Sequence, residues 1–131
     1  ALLVLTDQFS RNMFRGEATA FATDPLARDV ARKAVAAGWD LEVPTPERQF
    51  FYLPFEHSED PEDQALAVRL IAERMPEAAE TLLHARAHQA IIARFGRFPF
   101  RNAALGRESS PEEIAFMEGG GYASTVNDLR G

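Results

Sequence analysis

The chain has 131 residues, a formal net charge of −6, 46% hydrophobic residues and no cysteine. That size suits one domain with its own core, and the apolar content is too high for a disordered chain. The missing cysteine excludes a disulfide scaffold, a thiol nucleophile and thiolate-held zinc or iron–sulfur clusters, while no apolar run approaches the ~20 residues a membrane helix needs.

Residues Leu2 to Phe9 read as a helix. Its apolar opening, Ala1 to Leu5, has no cap and no initiator methionine, which suggests a truncated domain whose missing part packs on this helix. Four helix starts follow, each a good N-cap residue before proline: Asp24-Pro25, Thr45-Pro46, Asp60-Pro61 and Ser110-Pro111. Proline suits the first helical position, where its missing N–H is not needed and its φ is already helical.

From Pro25, Leu26, Val30, Ala34 and Ala37 fall on one face, and Gly38 marks the stop. Thr45 to Ser58 is dense in aromatics, with Pro54 inside a helical pattern, so a helix that kinks or stops near Leu53 is expected. From Pro61, Val68, Ile71, Ala72 and Met75 form an apolar face that Pro76 interrupts. From Glu77, Ala79, Leu83, Ala87, Ile91 and Phe95 make a stripe that Gly96 closes. Ser110 with Glu113 is a capping box. Beyond Gly119-Gly120-Gly121 there is little to bury, and a flexible tail over 119–131 is expected behind a single helical domain at 1–118. No segment alternates with period two, so the predicted class is all-α: antiparallel helical hairpins with no significant β-sheet.

Only one of the 14 basic residues is a lysine, Lys33; the others are arginines, the side chain suited to planar anion recognition. They gather in two places. Asp7 to Gly16 contains Arg11-Asn12 and Arg15, and Arg94 to Arg107 contains four arginines and no acid. Guanidinium forks and the N–H groups near Gly96 and Gly106 suit a phosphate or carboxylate, with Phe98 and Phe100 as stacking surface. The structural alternative pairs these arginines with Glu56, Glu59 and Asp60, or sets them at helix C-termini. The net negative charge opposes nucleic-acid binding.

His84 and His88 have metal-ligand spacing, but no third ligand is evident and Ala85 stands where a zinc protease has its glutamate, so no metal and no cofactor are predicted. His57 lies among Glu56, Glu59 and Asp60, which are expected to raise its pKa. Ser58 lacks a nucleophile elbow and reads as a turn residue before the cap.

Several ordered blocks carry a resemblance. These are Asp7-Gln8-Phe9 with Arg11-Asn12, Phe51 to Asp60, and Arg94 to Pro99 running through Arg101-Asn102 to Leu105-Gly106-Arg107. They are similar to the bacterial domain-of-unknown-function family numbered 924, from Leu2 to about Met117. The resemblance implies a tetratricopeptide-like right-handed helical stack, although no 34-residue consensus recurs. It also implies further N-terminal helices than this chain has, and a proline where Ser10 stands.

Stacked hairpins leave a groove, and its expected lining is Arg11, Asn12, Glu56, His57, Arg97, Arg101, Asn102 and Arg107. The leading reading is a cytoplasmic domain that binds a small anionic ligand or an acidic peptide there. One alternative is a hydrolase using His57 with Glu56 or Asp60; another is a protein–protein interaction scaffold.

Overall fold

The computed structural model describes residues 25–131. The helix expected over Leu2 to Phe9, the cap at Asp24, and Arg11 and Asn12 lie outside them. Within them there are helices and turns and no strand, the all-α class that the capped, 3.6-period segments predict.

Helix α1 spans Pro25–Ala36 and stops at Gly38, whose φ of 76° is the left-handed conformation that ends a helix cheaply only as glycine. Its buried face is Ala27, Ala31 and Ala34, whereas Leu26 is 67% exposed and Ala37 is exposed. The stripe read from sequence is therefore turned: alanines face inward because the aromatic residues arriving from the next segment fill the space. A 3₁₀ turn, Trp39–Glu42, follows.

The Thr45-Pro46 start yields a 3₁₀ helix, Glu47–Phe51, after a cis peptide bond, and then one α-helical turn, α2, at Leu53–Glu56. The break expected near Leu53 falls between them. Phe51, Tyr52 and Phe55 are buried at its centre. Burying each such side chain stabilises the fold by roughly 2–3 kcal/mol.

Helix α3, Pro61–Arg74, starts at Asp60, whose carboxylate accepts from the Glu62 N–H at 2.9 Å. Met75 ends it, and the short link through Pro76 folds α4, Ala79–Phe95, back onto α3 as a helical hairpin. Ala67, Leu70, Ile71 and Met75 join Phe51, Tyr52 and Phe55 in the main core. Gly96, with φ 74°, closes α4 where the sequence expects it.

Helix α5, Pro111–Glu118, carries the full reciprocal capping box between Ser110 and Glu113. The segment expected as a flexible tail is instead largely α6, Gly121–Arg130, lying along α4. Tyr122 and Val126 stand one turn apart on its inner side, and Tyr122 packs with Phe95, Phe116 and the buried Ile91, Ile92 and Phe98 in a second core. Among the described residues no helix is long and apolar enough to cross a membrane.

A buried polar knot ties the main core together. Asp40 is fully buried, receives both short contacts of the Arg74 guanidinium at 2.8 Å, and accepts from the Tyr52 hydroxyl. Burial and the neighbouring Asp40 together push the Tyr52 phenol far above its ordinary range. Arg48 donates to the carbonyls of Val43 and Arg74, at 2.9 and 2.6 Å, and so fastens the loop onto the end of α3.

Candidate functional site

The turn after α2 and the loop after α4 meet at one end of the hairpin, and Glu59 stitches them. Its carboxylate takes two bonds from Arg107, at 2.8 and 3.1 Å, and one from the buried Phe98 N–H at 2.7 Å. Burial opposes its ionisation, yet the Arg107 bond, the Phe98 bond and the charges of Arg107 and Arg101 together hold its carboxyl below the usual range. The structural alternative for the arginines is thus realised in part, with Glu59 as the acid.

Each arginine of the loop has its own task. Arg97 is bidentate on Glu113, at 2.9 and 2.8 Å, and donates to the Glu108 carbonyl at 2.7 Å. The Arg97 bond, the Ser110 N–H and the Arg97 charge lower the Glu113 carboxyl to about 2. Asn102 is buried, accepts from Arg107 at 2.9 Å and donates to Ser109 at 3.1 Å, so it braces the loop from inside.

Arg101 differs. Among the described residues it makes no ion pair; its guanidinium lies over the Phe98 ring, 4.6 Å from the centroid. Burial pulls it below the ordinary guanidinium range, Glu59 opposes this and Arg107 adds to it. It nevertheless stays a cation, since guanidinium does not deprotonate in proteins.

Arg101 and His57 line two adjoining cavities. The larger, about 690 Å³, adds His88, Phe100, Met117 and the start of α6 from Gly120 to Ala123. The smaller, about 420 Å³, adds Arg28, Ser58, Glu59, Asp60 and Leu105 and is the more polar. Helix α6 starts after its N-cap Gly120, φ 113°, which provides no side-chain cap, and its first turn, whose N–H groups a helix start leaves without intrahelical partners, stands at the wall of the larger cavity.

His57 departs from its expectation. Its pKa is lowered to about 4, not raised: burial is the largest cause, His88 and Arg101 add to it, and only Glu56 opposes. Sequence proximity to acids was misleading because those acids are engaged elsewhere. Asp60 caps α3, Glu59 holds Arg107, and Glu56 turns to His88. Among the described residues the buried His57 Nδ1 has no hydrogen-bond partner. Ser58 donates to Asp63 at 2.7 Å and accepts from the Asp60 N–H at 3.1 Å, the turn role its sequence context suggests.

Two lining residues, His88 and Tyr122, are absent from the lining expected from sequence, whereas Phe100 is named there as stacking surface. The His88 Nδ1 lies 3.1 Å from a Glu56 carboxylate oxygen and 2.8 Å from the His84 carbonyl. Its ring packs 5.3 Å from His57 and 4.8 Å from Tyr122, centroid to centroid. The Tyr122 hydroxyl bonds the His84 Nδ1, so the spacing of His84 and His88 serves contacts between α4, α2 and α6. Among the described residues no three His, Cys, Asp or Glu side chains converge as a metal site. The i,i+4 pair was visible in sequence; its partners, on distant segments, were not.

An all-α domain with a histidine–arginine cleft at the end of a helical hairpin is the class these observations define. The chain belongs to the family of bacterial proteins of unknown function DUF924, whose sequence profile matches residues 1–121. It is similar to a solved structure of a protein of unknown function, ATU0120 from Agrobacterium tumefaciens, with 49% identity and a TM-score of 0.72. The similarity covers 89% of this chain and 65% of that one, so the chain spans less than two thirds of that relative's length. No functionally curated protein matches it.

Proposed function

We propose that the domain binds a small organic anion with an apolar body, its charged group on Arg101 and its body in the cavity walled by Phe100, Met117 and Tyr122. The observation that carries this reading is Arg101 itself: a half-buried cation with no ion-pair partner among the described residues, at the wall shared by both cavities. A partly desolvated charge without a counter-ion is costly, and a ligand anion would relieve that cost. The uncapped start of α6 faces the same cavity and favours the same sign of charge. Neutral His57 offers a donor or an acceptor beside the cation without adding charge.

The larger cavity falls within the range of small-molecule sites, which favours a compact ligand over an acidic peptide. The scaffold alternative has less support, because the tail it needs is largely packed on α4. We also take the paired helices as tetratricopeptide-like, as the family resemblance implies, and the chain as cytoplasmic. The test is a thermal-shift screen of inorganic phosphate, phenyl phosphate, AMP, benzoate and 4-phenylbutyrate, repeated with Arg101→Ala. Stabilisation by an anion that vanishes in Arg101→Ala is expected; no shift with any compound contradicts the proposal.

A further inference from the structure

Resting on the Arg101 reading above for the acid end, we infer that the ligand also carries an ammonium group, held by the buried carboxylate of Glu56, with the apolar body between its two charges.

Four acidic residues are buried among the described residues: Asp40, Glu56, Asp63 and Glu113. Three of them have donors of their own. Asp40 accepts from Arg74 and Tyr52, Asp63 from Arg32 and Ser58, and Glu113 from Arg97 and the Ser110 N–H. The Glu56 carboxylate accepts no hydrogen bond from any described group, although its side chain is only 5% exposed. The His88 Nδ1 comes within 3.1 Å of it, but that N–H is given to the His84 carbonyl at 2.8 Å. A buried carboxylate without donors is costly, and a cation that brings N–H groups relieves the cost. The need for donors as well as a counter-charge favours an N–H-bearing ammonium over a quaternary one.

Glu56 lines a third cavity, of about 300 Å³, together with Glu80 and His84. His57, His88 and Tyr122 line both this cavity and the larger one that holds Arg101, so the two adjoin along three rings. The Glu56 charge is felt along that shared wall. After burial it is the second cause that raises the Tyr122 phenol, and it opposes the fall that burial, His88 and Arg101 impose on His57. Glu80, the other acid of the third cavity, is taken by Arg130. An uncompensated anion and an uncompensated cation therefore flank one ring-lined wall. Because Glu56 and Arg101 line different cavities, the ligand's charges stand apart across its apolar body, as in an ω-amino acid, and not on neighbouring atoms, as in an α-amino acid.

Calorimetry on the full chain compares 6-aminohexanoate with hexanoate, 4-(aminomethyl)phenylacetate with 4-methylphenylacetate, and L-phenylalanine with 3-phenylpropionate. Wild type should bind at least one of the two ω-amino acids about 10-fold or more tighter than its amine-free partner, with no such gain for phenylalanine. Glu56→Gln should bring that ω-amino acid down to the level of its partner while the partner's own affinity holds within about threefold. Arg101→Ala should weaken both members of the pair.

Amine-free acids that bind as tightly as their amino counterparts overturn the ammonium site and leave the anion reading standing. A gain confined to phenylalanine overturns it as well, as does a loss in Glu56→Gln shared equally by both members of a pair, which is the mark of a merely structural residue. If none of these compounds binds, the ammonium site and the anion reading fall together. Should Glu56→Gln fail to fold, carbon NMR of the wild type decides: a Glu56 carboxyl signal that moves with 6-aminohexanoate and not with hexanoate supports the site, and one that moves with neither, or equally with both, rules it out.

Discussion

Replacing His57 with glutamine should remove a specific slope from the pH dependence of folding. In the native protein the imidazole has a pKa of about 4, held down first by burial and then by His88 and Arg101. In the unfolded chain it returns to about 6.5. A group whose native pKa is depressed binds more protons when unfolded, so acid favours unfolding. The contribution is complete above the unfolded value and is lost as pH falls from 6.5 towards 4. That difference is worth roughly 3 kcal/mol at most, less a discount for the partial exposure of the ring. Urea unfolding at pH 7.5, 6, 5 and 4.5 on wild type and His57→Gln gives the test. Glu59, held below the usual carboxylate range, loses its contribution only as pH falls through that range, so the interval from 6.5 to 5 isolates the histidine. The wild type should lose stability there and the variant should be nearly flat. Parallel curves would refute the account of a buried, uncharged His57.

Two further outcomes follow from the polar contacts. Asp40→Ala strands the Arg74 guanidinium and the Tyr52 hydroxyl in the main core and should cost about 3–5 kcal/mol in urea unfolding; a loss below about 1 kcal/mol would contradict the role given to this knot. Glu59→Ala releases Arg107 and leaves the buried Phe98 N–H unpaired, which should cost about 2–4 kcal/mol and speed hydrogen exchange at Phe98; unchanged exchange would show that the loop is held by other means.

Local chemistry made the helices legible. Asp60-Pro61 and Ser110-Pro111 carry their own caps, and Gly38 and Gly96 adopt the positive φ that stops a helix. Thr45-Pro46 has the same letters but leads into a 3₁₀ helix, because two consecutive residues, Phe51 and Tyr52, must both turn their bulk into the core at a break. The tail hid its helix for another reason. Glycine, serine, threonine and asparagine lower its intrinsic propensity, and only Tyr122 and Val126 mark its inner face. Docking on α4, not local preference, makes it helical.

The site was legible as residue types and not as pairs. Composition singled out the arginines, yet nothing in their spacing separates Arg97 and Arg107, which are held by carboxylates, from Arg101, which pairs with none among the described residues. The partner of Arg107 lies 48 residues away and that of His84 38 away. Glu113 reads as a capping acid and also neutralises Arg97, a second task that only tertiary packing assigns. For His57 the neighbouring acids suggested a raised pKa, but burial outweighs charges that point at other partners.

The most direct measurement is calorimetric titration of wild type and Arg101→Ala with phenyl phosphate and 4-phenylbutyrate. Saturable binding of at least one anion by the wild type, weakened about 10-fold or more in the variant with its melting temperature preserved, is the predicted result. Equal affinity in the two proteins, or no heat of binding in the wild type with either compound, would contradict the claim that Arg101 awaits an anion.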